Sequence, residues 1–155
     1  MDIEVIKLII QVSMSVGAAF LAAWLATNRY RKDQWWQKKM EAYSELVEAL
    51  QKMKWPPSEH FDYAFEQRTI DEEYSQELWD DFKSARRNVW RIAEKSSFLL
   101  SPEVLKTVQE MENGLSKARN ADSWVEHLND QYASIQACIE KVKEIGAKEL
   151  GVKNA

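Results

Sequence analysis

From Leu8 to Ala26 the chain runs 19 residues without a formal charge, and beyond it the apolar positions recur at intervals of three and four. The first pattern suits a helix about 29 Å long, close to the roughly 30 Å of bilayer hydrocarbon. The second is the spacing of helices with one apolar face; strict alternation, the mark of a strand, is absent. Trp36, Met40, Tyr43, Val47 and Leu50 continue from the apolar run with no Gly or Pro between. This predicts one long helix to about Met53, stopped at Trp55-Pro56-Pro57 because proline lacks an N–H and restricts the residue before it.

Ser58 then predicts a short helix ending near Gln67, and Thr69 with Glu72 reads as a capping box. The next helix carries Tyr74, Leu78, Phe82, Ala85, Val89 and Ile92 on one face. Ser101-Pro102-Glu103 starts another, which buries Val104, Val108, Met111, Leu115 and Ala118. Ser123 with Glu126 caps the last, with Val125, Leu128, Tyr132, Ile135, Ile139, Val142 and Ile145 facing inward. Short connections imply antiparallel neighbours. The expected fold class is all-α: a single N-terminal transmembrane helix (1–27) continuing through a basic juxtamembrane segment (28–39) into a cytoplasmic up-and-down bundle (40–155). Four main helices and one short extra helix compose it.

Charge sets the expected orientation. Asp2, Glu4 and Lys7 leave −1 on residues 1–27, whereas Arg29, Arg31, Lys32, Lys38 and Lys39 against Asp33 put +4 on residues 28–39. With a chain total of −4, the remainder carries −7. An acidic N-terminus with the basic cluster after the apolar run is the reverse of a secretory signal peptide. By the positive-inside tendency the N-terminus lies outside and the bundle in the cytoplasm, with Trp24, Tyr30, Arg29, Arg31 and Lys32 at the membrane interface. An acidic bundle disfavours nucleic acid as a partner.

Within the span the polar and smallest residues share a side. At about 100° per residue, Lys7, Gln11, Ser15, Ala18 and Ala22 fall in a sector about 80° wide. Ser13 and Gly17 form a second small-residue pair, suited to close helix approach. Lipid offers nothing to the Gln11 amide. Three readings fit: small residues tolerated in lipid with Lys7 reaching the headgroups, a homo-oligomeric seam, or a seam facing a water-filled centre.

Chemistry is sparse. His60 and His127 form neither HExxH nor a Glu-x-x-His pairing, and no phosphate loop or nucleophile elbow occurs. No metal, cofactor or catalytic residue is assigned, and the chain reads as a non-enzyme. Arg119 and His127, with seven residues between them, miss the Arg-to-His spacing of helical RNases of the HEPN type. The lone Cys138 lies in a periodic helix and reads as a small buried hydrophobe. Asp71, Glu72, Glu73, Glu77, Asp80 and Asp81 read as a solvated helix start, and Arg86, Arg87 and Arg91 as their pairing partners or a small basic face, with phosphate or RNA contact there as the minor alternative. Trp79 and Trp90, eleven apart on one helix, read either as core and bundle-edge packing or as the candidate surface for a cytosolic protein partner or another subunit.

The order of a membrane helix, "WWQKKMEAYSELVEALQKMK" with Lys39, Ala42 and Tyr43, and "SSFLLSPEVLKTV" before a last long helix resembles a diffuse group of small bacterial single-pass proteins. In layout it is also similar to the membrane-pore accessory protein of type VI-B CRISPR systems, whose subunits are anchored bundles forming a ring. That resemblance implies a homo-oligomeric bacterial inner-membrane protein, possible pore formation, and a role in anti-phage defence. The HEPN-like motif linked to that family is not matched here. A membrane-anchored adaptor that binds a cytosolic protein is the alternative.

Overall fold

The computed structural model describes the backbone of residues 3–152 and the side chains of residues 21–152. Four helices occupy it: α1 (Ile3–Phe65), α2 (Glu72–Lys95), α3 (Pro102–Ala118) and α4 (Trp124–Leu150), with no strand among the described residues. Two compact units divide the chain, Met1–Gln37 and Lys38–Ala155. Among the described residues no helix is long and apolar enough to cross a membrane. Most of the Leu8–Ala26 run lies outside the residues whose side chains are described.

The second unit is an up-and-down bundle. Tyr43 of α1 lies against Gly146 of α4, while Lys54 donates to Gln136 at 3.0 Å, so these two helices run antiparallel. Glu103 faces Lys141, and Gly114 faces Ser134, which sets α3 antiparallel to α4. Arg86 and Trp90 of α2 both reach Glu112 of α3, about equally far from the turn that joins the two helices. Leu46, Leu50, Met53, Val89, Val104, Val108, Ile135, Ile139 and Val142 form the centre of the core, each at most 1% exposed. A Cβ on Gly114 would collide with the Ser134 hydroxyl and stand 2.9 Å from the Ser134 Cβ, so this glycine is what lets α3 and α4 approach so closely.

Three expectations are corrected. The Trp55-Pro56-Pro57 stop and the separate helix from Ser58 do not exist, because α1 runs through both prolines to Phe65. A proline inside a helix costs of order 3 kcal/mol. Here both rings are fully buried, and the turn beyond them brings His60 into the bundle, so tertiary burial outweighs the missing N–H groups. The helix ends instead where Gln67 adopts φ 55° and Arg68 N–H donates back to the Tyr63 carbonyl at 2.9 Å. That is a Schellman-type ending without its usual glycine.

The Thr69–Glu72 capping box is likewise replaced. Asp71 caps α2, its carboxylate accepting from the N–H groups of Glu73 and Tyr74 at 3.1 and 3.2 Å. A carboxylate that satisfies two orphan donors at the positive end of the helix outcompetes a hydroxyl two residues earlier. Thirdly, α1 buries Ala42, Tyr43, Leu46, Ala49, Leu50 and Met53, while Trp36 and Met40 of the expected stripe are 42% and 41% exposed. The α3 face is as expected, and so is that of α4 except for Val125, which is exposed, and Tyr132, which is half-buried. Ser123 caps α4 through its hydroxyl, with the Glu126 carboxylate returning to the Asp122 N–H.

Candidate functional site

Of the residues assigned to the membrane stripe, only Ala22 has a described side chain, and it is exposed. Lys7, Gln11, Ser13, Ser15, Gly17 and Ala18 lie outside the residues whose side chains are described. Leu21, Trp24 and Leu25 are 58–63% exposed, and Arg29, Tyr30, Arg31 and Lys32 after them are exposed too.

Lys39 and Tyr43 meet at one carboxylate of the bundle. Ala42 is buried, Lys39 pairs with Glu149 at 2.7 Å, and the Tyr43 hydroxyl donates to the same carboxylate at 2.7 Å. Burial would raise the Glu149 pKa, but hydrogen bonds from Lys39 and Tyr43 win and hold it below the usual carboxylate value. Gly146 makes room for the tyrosine, since a Cβ there would stand 2.9 Å from the Tyr43 ring. Beside this contact an apolar groove of about 460 Å³ opens between α1 and α4, walled by Val47, Val142, Ala147 and Leu150.

Trp79 and Trp90 are separated by about 16 Å of helix and join different networks. Trp90 Nε1 donates to Glu112 at 3.2 Å. Glu112 is buried and also accepts the Arg86 Nε–H, shared between its two oxygens at 2.9 and 3.1 Å, and a hydrogen bond from Arg86 Nη2. This removes Arg86 from the basic face and leaves Arg87 and Arg91 on the exposed side of α2.

Trp79 stacks on His60, with ring centroids 4.6 Å apart and planes 12° from parallel. Trp124 closes over the pair edge-on and stacks on His127 at 5.3 Å. Both histidines thus meet one tryptophan at the same end of the bundle, although 66 residues separate them in sequence. The tryptophan content was the available signal, but a spacing rule confined to α2 could not bring in Trp124. His127 Nδ1 lies 2.6 Å from the Ala118 carbonyl, so this ring nitrogen serves as a structural tie.

His60 is 4% exposed and its Nε2 has no hydrogen-bond partner. Burial holds its pKa below the ordinary histidine value, against the opposing charge of Glu59 and a backbone hydrogen bond with Ser75. The folded state therefore favours the neutral ring. The resulting stability is fully present above the unfolded pKa of about 6.5 and is lost as pH falls from there toward the lower folded value. Urea unfolding midpoints are expected to drop between pH 7 and pH 5.5 in the wild type. His60→Phe, which keeps a stacking ring without the titration, should flatten that dependence; an unchanged slope would assign it to other groups.

Burial, and secondarily the charge of Glu110, pushes the Cys138 thiol up to about 12, so it stays protonated and unreactive. Among the described residues no group of three His, Cys, Asp or Glu side chains is placed to hold a metal ion. No family model matches the chain, and no curated protein or solved structure matches it either.

Proposed function

We propose that this chain is a single-pass, homo-oligomeric protein of a bacterial inner membrane, with its helical bundle in the cytoplasm, acting as a non-enzymatic membrane effector or accessory in anti-phage defence. The observation that carries the membrane reading is the uncharged Leu8–Ala26 run within helix α1, in which Leu21, Trp24 and Leu25 are exposed, followed by Arg29, Arg31 and Lys32. Apolar side chains in that number need a nonaqueous environment, and the basic residues suit the cytoplasmic headgroups. Self-association rests on the stripe of Lys7, Gln11, Ser15, Ala18 and Ala22, with Ser13 and Gly17 allowing close approach. A pore along the stripe and the defence role come from the layout resemblance.

The test is the mass of the detergent-solubilised protein, corrected for bound detergent. A discrete assembly of several copies is expected, and Gln11→Leu with Ser15→Leu should reduce it. A monomer would remove the seam. The adaptor reading is favoured by one feature, the apolar groove between α1 and α4. It gains ground if the monomeric protein retains a cytosolic partner that Val47→Asp releases.

A further inference from the structure

Arg87 and Arg91 line two neighbouring clefts on the bundle, and the structure accounts for neither residue by packing. The first cleft, about 470 Å³, lies between α1 and α2 and is walled by Lys52, Ser84, Ala85, Arg87, Asn88 and Arg91. No carboxylate lines it, in a chain whose net charge is −4. Residues 84, 87, 88 and 91 share one face of α2 by helical spacing, so three cations, a hydroxyl and a carboxamide converge.

Their hydrogen bonds leave donors available. Arg91 Nη2 donates to the Asn88 carboxamide oxygen at 2.7 Å, a bond that uses one of the five guanidinium N–H groups and none of the Asn88 amide N–H groups. Lys52 pairs with Glu48 at 2.7 Å, but both side chains are more than two-thirds exposed, and such a pair is exchanged at little cost. Asp80, the acidic group that Arg87 influences, is held chiefly by Lys83 and Gln76 and lies outside the cleft. Guanidinium pairs of this kind suit a phosphate group.

The second cleft, about 530 Å³, shares Arg87 and Arg91 and adds Trp90, with Lys83, Arg86 and one carboxylate, Glu94, in its lining. The indole is fixed from behind by its Nε1–H bond to Glu112, which Arg86 clamps in turn. A flat ring held rigidly beside an anion site is preorganised for stacking. We propose that these joined clefts bind a small soluble nucleotide, its phosphate on Lys52, Arg87 and Arg91 and its base against Trp90. Their volumes fall in the range of ligand pockets, about 300–1,000 Å³. A nucleic-acid strand is disfavoured because Glu45 and Glu48 border the positive surface on one side and Glu94 on the other. The basic area ends after one ligand, whereas a strand needs a continuous track.

The experiment is calorimetric titration of the full-length protein in detergent with AMP, ADP and ATP, with inorganic phosphate and adenosine as part-ligands. Saturable nucleotide binding is expected, weakened at least tenfold by Arg87→Ala with Arg91→Ala. Both residues are exposed, so far-UV circular dichroism should show the double variant folded. Trp90→Leu should weaken the nucleotides about tenfold and leave inorganic phosphate unchanged. Trp90→Phe, which loses the same Nε1–H bond but keeps a flat ring, should restore most of the affinity. Equal losses in the two Trp90 variants would overturn the stacking, and no nucleotide binding, or none sensitive to the arginines, would overturn the site. Arginine-dependent retention on phosphatidylglycerol vesicles without nucleotide binding would reassign the phosphate to lipid. Affinity that grows with RNA length would replace the nucleotide by a strand.

Discussion

Arg86→Ala is expected to lower the free energy of unfolding by about 2–3 kcal/mol, measured by urea denaturation with far-UV circular dichroism as the readout. Glu112 is 7% exposed, and its carboxylate is satisfied by Arg86 and Trp90. The Glu112 hydrogen bonds raise the Arg86 pKa, outweighing burial. Without the guanidinium, a buried charge keeps only one neutral N–H partner, and the loss approaches the cost of an unpaired ion. The figure sits toward the low end because the arginine is 35% exposed and water can enter the vacated space. Replacing both partners, Arg86→Met with Glu112→Leu, should recover part of the loss, since the buried charge is gone and only the half-buried Trp90 Nε1–H is left to find water. A single variant within about 0.5 kcal/mol of wild type would mean that water already solvates Glu112.

Leu46→Ala is expected to cost about 3 kcal/mol, and Met40→Ala less than about 0.5 kcal/mol, by the same measurement. Leu46 is fully buried among Leu50, Val142 and the rest of the core, so truncation loses transfer free energy and leaves a cavity. Met40 is 41% exposed. The pair separates two versions of the α1 face: the spacing of 36, 40, 43, 47 and 50 read from sequence, and the buried set from Ala42 to Met53. Equal costs at the two positions would restore the first. The versions differ because small residues such as Ala42 and Ala49 carry little hydropathy and yet mark where another helix comes closest.

The site was legible to the extent that its chemistry is local. Lys39, Ala42 and Tyr43 stood out as a unit, and the meeting of Lys39 and Tyr43 on Glu149, beside the burial of Ala42, gives that unit a physical reason. The Arg86, Arg87 and Arg91 cluster also stood out, but the sequence offered no ground for separating them. One guanidinium was to be held on buried Glu112 and two left at an open cleft, and that division depends on which residue of α3 lies opposite. The meeting of His60 with Trp79, Trp124 and His127 was invisible for a similar reason, because α1, α2 and α4 all contribute to it.

What the chain determines by itself is what neighbouring residues decide among themselves: four helical segments with apolar faces, the Ser101-Pro102 and Ser123 starts, and the uncharged Leu8–Ala26 run followed by basic residues. Local hydrogen bonding and periodicity carry that information without any partner. Packing decided the rest. It carried α1 through Pro56 and Pro57 because their rings are buried, and it chose the buried face of that helix by where α4 could approach. It also set Glu112 opposite Arg86 and Trp90. Each of these outcomes balances a local cost against burial supplied by a distant segment, and the spacing within one helix does not encode that balance.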